Sequence, residues 1–301
     1  MNGFVSICKD QGMSSFDVIR QLRRMFPSVR MGHAGTLDPM ATGVLPIAMG
    51  KATRLLEYVS TEPKVYQADM LLGLTSDTQD IWGELNDSGH YEYETGRIGD
   101  CLAAWRGEQK QLSPMYSARH YKGQRLYKLA RQGIEVEREA RPVTIYRLEL
   151  KESARDAQGR PWLTLEISCS GGTYVRTLCH DIGQDLGTGA VMSSLCRLQS
   201  GVFTLEHSYR LEQIKALVNE PAKWLLPLDA PLKDMPALEM TRQEQEDDLS
   251  MGRFLYDLEI NDSHEIGTHY RLRWQDNLIA IGKTAQTETG AVIVRPVKVL
   301  A

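Results

Sequence analysis

The residues best suited to chemistry lie in the segment GHAGTLDPMATGVLPIAMGKATR, between Gly32 and Arg54. Its glycines allow the backbone to turn tightly or to approach another surface closely. Asp38 stands directly before Pro39, and a residue before proline favours an extended conformation. The segment can therefore present one carboxylate from a rigid loop, for nucleophilic attack, stabilisation of a cationic centre or proton removal. The alternative interpretation is an ordinary Asp-Pro turn without a chemical role.

The same segment superficially resembles a phosphate-binding loop, but its spacing excludes that function. Six residues separate Gly43 from Gly50, and Ala52 follows Lys51 where such a loop has serine or threonine. The cysteines exclude two further kinds of site, because they are odd in number and contain no C-x-x-C pair. This pattern argues against a disulfide framework and against a zinc ribbon. The five are Cys8, Cys101, Cys169, Cys179 and Cys196.

Composition indicates a soluble globular protein. The chain has 301 residues, of which 42% are hydrophobic and 25% charged, enough for one large domain and a smaller one. The N-terminus lacks a basic stretch followed by a long apolar run, and no window approaches the roughly 18 apolar residues of a membrane helix. We therefore expect a cytoplasmic protein that does not interact with membranes.

Positive charge is concentrated in one run, RHYKGQRLYKLAR, although the formal net charge of the chain is −4. The run contains no acidic residue, whereas acidic residues cluster between positions 69 and 100 and near the C-terminus. A basic face on a mildly acidic protein is compatible with phosphate binding. The alternative is a solvated helix surface. The basic residues are Arg119, Lys122, Arg125, Lys128 and Arg131.

Periodicity predicts the elements that position these residues. The patterns predict strands over 3–8, 65–74 and 163–170, a helix opened by Ser14 and Asp17, and further helices over 98–105, 126–132 and after Gly172. This mixture favours an α+β fold with a mixed central β-sheet flanked by helices, rather than regular βαβ alternation.

A change of composition divides the chain. A proline cluster between positions 221 and 236 precedes an acidic stretch, and three β-like segments follow it: YRLRWQ, LIAIGK and AVIVRPVKVL. We therefore predict a catalytic domain over 1–232 and a small C-terminal β-rich domain over 233–301.

Residues 32–54 resemble the signature of the TruB family of tRNA pseudouridine synthases, G-H-x-G-x-L-D-P-x-A-x-G-[VM]-L-P. KVYQADMLLG resembles the second motif of the family, CSGGTYVRTLCHDIGQDLG its third motif, and residues 112–146 its RNA-contacting segment. Together the matches cover most of residues 1–205. One departure is C-K-D-Q-G at residues 8–12, where the family has D-K-P-x-G. The resemblance implies a pseudouridine synthase fold with a PUA-like C-terminal domain.

Site residues follow from the resemblance, position by position. It implies that Asp38 is the catalytic aspartate, that Tyr66 stacks on the target uracil, and that Arg176 pairs with the aspartate. Leu195 would form an apolar wall beneath the base. Lys9 and Tyr174 match further active-site positions, and His33 matches a histidine that inserts where the target base is extruded. The basic run would then contact loop and stem phosphates.

The implied reaction breaks the bond between uracil N1 and ribose C1′, turns the base and joins C1′ to C5. The implied substrate is uridine 55 in the T stem-loop of tRNA, with a further role in tRNA folding compatible with the sequence. Side chains fill each chemical role, so we expect no metal or organic cofactor. We also expect a monomer with no obligatory protein partner. The residues leave the order of steps open between attack on C1′ and a glycal route.

Three rival functions are weighed against this interpretation. A guide-dependent rRNA pseudouridine synthase shares the G-x-L-D-P core, but the short acidic tail and the complete T-loop-contacting segment argue against it. An RNA-folding chaperone would not need Asp38, Tyr66 and Arg176 together. A glycoside or nucleoside hydrolase normally uses two cooperating carboxylates, and the sequence offers only one persuasive candidate.

Overall fold

The computed structural model describes residues 1–89, 91, 95–117, 119–255 and 265–300. Six α-helices lie within these ranges: α1 Ser15–Met25, α2 Thr95–Ala104, α3 Leu126–Ala130, α4 Val175–Asp185, α5 Leu211–Ala216 and α6 Gln243–Ser250. Three short 3-10 helices are also present, at Gly50–Arg54, Pro221–Lys223 and Ala230–Leu232. In this described part of the chain, no helix is long and apolar enough to cross a membrane.

Seventeen strands are formed by the same described ranges. They are β1 Gly3–Lys9, β2 Met31–His33, β3 Thr42–Met49, β4 Lys64–Leu72, β5 Leu74–Ser76, β6 Leu85–Asp87, β7 Gly107–Leu112, β8 His120–Tyr121, β9 Gln124–Arg125, β10 Ala140–Arg155, β11 Pro161–Cys169, β12 Ala190–Ser200, β13 Phe203–Thr204, β14 Ala237–Glu239, β15 His269–Trp274, β16 Asn277–Gln286 and β17 Val292–Val299. The predicted strands over 3–8, 65–74 and 163–170 correspond to β1, β4 and β11.

A mixed sheet forms the centre of the large domain. Its strand order is β1-β3-β12-β4-β11-β10-β7, with β2 added to β3 and β13 to β12. β3 and β12 run parallel, whereas the other neighbours are antiparallel. This arrangement confirms the predicted α+β class with a mixed central sheet. In the parallel pair, Arg197 lies opposite Gly43, and a Cβ on Gly43 would stand 2.2 Å from the Arg197 carbonyl oxygen. Only glycine therefore fits at that position.

Helix α1 shows how the sequence builds the core against this sheet. Ser14 caps the helix by accepting a hydrogen bond from the Asp17 N–H, and Asp17 accepts one in return from the Ser14 N–H. Val18, Ile19 and Leu22 lie on the buried face and join the main hydrophobic core. Burying each such side chain contributes about 1.5–3 kcal/mol, so packing rather than propensity holds the helix in place.

The C-terminal region contains a separate β-sheet. Its strand order is β14-β15-β16-β17, and it encloses a small core of its own. Leu278, Ile281 and Leu300 pack in one apolar cluster with Phe4 and Val44 of the large domain. The predicted C-terminal β domain is thereby confirmed, while its boundary at residue 233 stays a prediction.

Candidate active site

Asp38 lies in the loop that joins β2 to β3. The Ala41 N–H donates to the Asp38 carbonyl at 3.0 Å, which closes a tight turn over Pro39. Ser15, in the first turn of α1, bonds both the N–H and the carbonyl of Leu37, at 2.9 and 3.2 Å. The loop is therefore fixed on both sides of Asp38, whose side chain stays 40% exposed. The segment therefore forms an Asp-Pro turn and at the same time leaves the carboxylate of Asp38 accessible.

Arg176 links Asp38 to a second carboxylate. It stands in the first turn of α4 with its side chain only 7% exposed. Its Nη2 lies 3.1 Å from Asp38 Oδ2, and its Nη1 lies 3.4 Å from Oδ2 of the buried Asp80. Nη2 also donates to the Tyr116 carbonyl. Two carboxylates and a carbonyl therefore fix the plane of the guanidinium, as its forked geometry allows.

A cleft of about 360 Å³ opens beside this ion pair. Tyr66 of β4 and Leu195 of β12 come from adjacent strands and form buried parts of its lining. Small-ligand sites usually have this size and combine an apolar wall with a few polar groups. Six residues singled out from the sequence meet here: Asp38, Tyr66, Arg119, Tyr174, Arg176 and Leu195.

Tyr174 is held by its backbone and stands against Arg176. Gln111 accepts from the Tyr174 N–H at 2.8 Å and donates to its carbonyl at 3.0 Å. The guanidinium carbon of Arg176 lies 5.9 Å from the centre of the Tyr174 ring, within the range of a cation–π contact. Burial raises the pKa of Tyr174, and burial likewise raises the pKa of Tyr66. Both phenols thus remain protonated at neutral pH.

Arg197 was not selected from the sequence, yet it is the largest fully buried side chain among the described residues. Its Nε donates to the Val44 carbonyl at 2.7 Å, and its other nitrogens donate to the carbonyls of Gly35 and Thr36 at 3.2 and 3.4 Å. Its charge lowers the pKa of Tyr66, against the larger effect of burial. Arg197 therefore connects β12, the start of β3, the loop before Asp38 and the cleft tyrosine.

Lys9 contacts the loop that contains Asp38 and is not among the residues that line the cleft. Its side chain is almost fully buried, and its ammonium group donates to the carbonyls of Asp10, Met13 and Pro39. Burial lowers its pKa from 10.5 to about 8, although Asp38 and Asp10 act in the opposite direction. The contacts suit a support for the loop, and substrate binding by Lys9 stays a prediction.

Asp10, which replaces the proline of the family motif, lies at the surface. Its Oδ1 pairs with Nη1 of Arg210 at 3.0 Å, just before α5. Both side chains are largely exposed, so the pair adds little stability. The substitution leaves the buried contacts of Lys9 in place.

His33 ends β2, five residues before Asp38, and is half-buried outside the cleft lining. Burial lowers its pKa, and the charge of Arg197 lowers it further. The imidazole is therefore neutral at pH 7. Its Nδ1 has no hydrogen-bond partner within the described ranges.

The basic run divides into one cleft residue and four surface residues. Arg119 lines the cleft and donates to Ser113 Oγ at 2.8 Å. The other four are exposed, namely Lys122, Arg125, Lys128 and Arg131. None of the five forms an ion pair with another described residue. Their charge is available to an external anion.

The cysteines are all free thiols. Burial raises the pKa of Cys169 to about 11 and that of Cys179 to about 12, so both stay protonated at neutral pH. No group of three or more His, Cys, Asp or Glu among the described residues is placed to hold a metal ion.

Comparison with solved structures, together with a family profile, shows which fold the protein has. A crystal structure of a Cbf5-Nop10-Gar1 complex matches with a TM-score of 0.73 at 24% identity, covering 99% of this chain and 85% of the other. A structure of an H/ACA RNP bound to a substrate RNA containing 2′-deoxyuridine matches with a TM-score of 0.72 at 23% identity, covering 99% and 85%. A family profile described as TruB family pseudouridylate synthase (N terminal domain) matches residues 23–175. The chain has the pseudouridine synthase fold.

A second profile, tRNA pseudouridylate synthase B C-terminal domain, matches residues 176–233. A protein of Syntrophomonas wolfei named tRNA pseudouridine synthase B is 48% identical over 245 residues, covering 81% of this chain and 82% of that protein. A Clostridium tetani protein of the same name is 36% identical over 296 residues, covering 98% and 99%. The chain belongs to the TruB family of pseudouridine synthases.

Proposed function

We propose that this chain converts uridine to pseudouridine in tRNA. The observation that carries the proposal is the exposed carboxylate of Asp38, held by the buried Arg176 at the edge of a cleft with an aromatic and an aliphatic wall. Family membership supports the proposal, as do the relatives named tRNA pseudouridine synthase B.

The cleft suits a base that is detached during the reaction. After the bond to N1 breaks, uracil must stay in the site and yet turn before C5 meets C1′. Flat and apolar surfaces hold a base without fixing its orientation, because stacking is tolerant of rotation within the plane. Tyr66 and Leu195 supply these surfaces, and Tyr174 adds a second aromatic boundary beside Arg176.

Asp38 supplies the group that acts on the ribose. When the glycosidic bond breaks, its electron pair leaves with the uracil and C1′ becomes electron-poor. The carboxylate of Asp38 then bonds to C1′, stabilises the cationic centre, or removes a ribose proton. The base then bonds to C1′ through C5. The C5 proton leaves and N1 takes up a proton, so that the base ends neutral and the atoms of the nucleotide are unchanged in number. The reaction is an isomerisation, because no electron or group is exchanged with another reactant.

The RNA must expose the target uridine before Asp38 can reach C1′. We propose uridine 55 of the T stem-loop as the target, flipped out of its stack into the cleft. His33, near the catalytic loop, would occupy the space that the base leaves. The free cations of the basic run would contact phosphates of the loop and stem. The chain would act in the cytoplasm as a monomer, without a protein partner, and could also assist tRNA folding.

The test uses the purified chain alone with an unmodified tRNA transcript and a transcript in which uridine 55 is replaced by cytidine. We expect pseudouridine at position 55 in the first RNA and none in the second. Conversion of an rRNA fragment only in the presence of a guide RNA would refute the proposal in favour of a guide-dependent enzyme. Tight binding of tRNA without any conversion would refute it in favour of a chaperone.

A further inference from the structure

Lys64 lines the cleft, but neither the sequence motifs nor the proposed reaction assigns it a role. It stands two positions before Tyr66 on β4, so both side chains point to the same face of the sheet. Both residues line the cleft that contains Asp38. A cation is thus placed on the surface that receives the substrate.

The ammonium group of Lys64 has no hydrogen bond or ion pair with any other described residue. Glu62, the acid whose charge acts on Lys64, makes its hydrogen bonds elsewhere: one oxygen accepts from the Gly171 N–H at 2.7 Å and the other from the Tyr146 hydroxyl at 3.3 Å. Burial lowers the pKa of Lys64 and the positive charge of Arg197 lowers it further, whereas the smaller effects of Cys169 and Glu62 raise it. Lys64 is half-buried, and a cation partly removed from water without a hydrogen bond or ion pair is costly, so a bound anion would offset that cost.

Two glycines lie beside this ammonium group. A Cβ added to Gly35 or to Gly171 would lie 3.8 Å from Lys64 Nζ, and one at Gly171 would also lie 2.7 Å from Oε1 of Glu62, so the ammonium group stands next to two backbone segments that lack side chains. Gly35 belongs to the catalytic loop, and Gly171 precedes α4. Side chains at these positions would crowd the ammonium group, whereas the glycines keep Lys64 accessible from the cleft that it lines.

A second groove, of about 500 Å³, continues from the cleft. The two share Arg119, Gly172 and Tyr174, and the groove adds Gly171 and the exposed Arg141. Arg141 forms no ion pair within the described part of the chain. Cations are therefore spaced along one continuous path from Lys64 past Arg119 to Arg141. A strand of phosphodiesters matches such a path.

We propose that Lys64 binds a phosphodiester that adjoins the target uridine, and that the RNA strand then follows the groove past Arg119 and Arg141. This inference rests on the proposed function, since it assigns a position to the RNA in that reaction. Lys64 would bind and position the RNA, whereas Asp38 would act on the reacting nucleotide.

The test is a double-mutant cycle that combines protein variants with RNAs in which one phosphate has been made uncharged. The protein variants are Lys64→Gln and Lys64→Arg, with Lys51→Gln, an exposed lysine outside the cleft, as the matched control. The RNAs are T stem-loops with one uncharged methylphosphonate linkage 5′ of the target, 3′ of the target, or in the stem. Dissociation constants are measured for every combination, and KM and kcat for each variant on the unmodified RNA.

We expect Lys64→Gln to weaken binding and raise KM by about tenfold, the effect of losing one charge-assisted hydrogen bond, with little change in kcat. Lys64→Arg should restore most of the loss, and Lys51→Gln should have no effect. One flanking methylphosphonate should weaken binding to the wild type by a similar factor and have no further effect on Lys64→Gln.

If Lys64→Gln and a methylphosphonate weaken binding additively at both the 5′ and the 3′ linkage, Lys64 does not contact either phosphate and the proposal is overturned. A fall in kcat at unchanged dissociation constant would also overturn it, because Lys64 would then act on the chemistry or on the loop. If the wild type binds these RNAs but converts none of them, the proposed function fails, and the binding cycle still decides whether Lys64 contacts a phosphate.

Discussion

Replacing Arg197 with methionine tests whether a side chain outside the reacting centre positions the catalytic loop. Methionine has nearly the same length but donates no hydrogen bond. The change removes the present donors from the buried carbonyl of Val44 and from the part-buried carbonyls of Gly35 and Thr36. A buried carbonyl left without a donor costs about 1–3 kcal/mol and one that water can reach costs less, so we expect the free energy of unfolding to fall by about 2 kcal/mol.

Activity should fall by more than the loss of folded protein explains. Arg197 is bonded to the residues just before Leu37 and Asp38, and a displacement of about 1 Å at the reacting centre can cost about 100-fold in rate. We therefore expect kcat at saturating tRNA to fall by about 100-fold, measured at a temperature where urea titration shows the variant to be folded. Arg197→Lys, which keeps the charge but not the forked donors, should recover only part of the rate.

The matched control is Arg20→Met on the exposed surface of α1. Arg20 pairs with Asp17 at 2.7 Å, but its side chain is 58% exposed, so its loss should change neither stability nor kcat appreciably. A folded Arg197→Met variant with the kcat of the wild type would refute the positioning role, whatever its stability.

Three further predictions concern the ion pairs of Arg176 and one half-buried acid, Asp181. Asp80→Asn removes a charged partner of Arg176, so the rate of tritium release from C5-labelled uridine in tRNA should fall about tenfold; an unchanged rate would show that Asp80 does not support the guanidinium. Arg176→Lys cannot contact both carboxylates and the Tyr116 carbonyl, so we expect about a 100-fold loss in the same assay, and full activity would contradict the need for a forked cation. Burial, together with the charge of Asp185, raises the pKa of Asp181 from 3.8 to about 6, so ionising it in the folded state costs stability increasingly from pH 4 to pH 6 and fully above pH 6. Asp181→Asn should therefore raise the free energy of unfolding by about 1 kcal/mol at pH 7.5, after allowance for solvent screening, and by nothing near pH 3.5; a gain independent of pH in urea titrations would contradict this cause.

Hydrophobic periodicity predicts the strands in which apolar and polar side chains alternate, but it does not predict β3. Leu163, Leu165, Ile167 and Cys169 are all buried on β11, as their alternation predicts. β3 contains Gly43 and Pro46, which are unfavourable in strands, and the sequence indicated only a glycine-rich segment there. Pairing overrides this preference: Pro46 lies opposite Ser6 of β1, and its carbonyl accepts from the Ala34 N–H at 2.9 Å.

Site residues that lie in or near a sequence motif could be predicted from the sequence. A residue whose contacts arise only from the tertiary structure could not. Asp38, Tyr66, Arg176 and Leu195 lie in recognisable motifs or next to them, and the structure brings them to one cleft. Arg197 carries no such signal, because a single arginine in a strand usually indicates an exposed position. Its partners Gly35, Thr36 and Val44 are more than 150 positions away, so only tertiary structure identifies its contacts.

The central claim is that Asp38 is the carboxylate that acts on the target nucleotide, and Asp38→Asn tests it most directly. The substitution keeps the size of the side chain and removes its charge. The measurement is tritium release from C5-labelled uridine in unmodified tRNA, with the dissociation constant of the same tRNA determined for both proteins. We expect the wild type to release the label, and the variant to bind the tRNA with similar affinity but release none. Release by the variant at a rate close to that of the wild type would contradict the account.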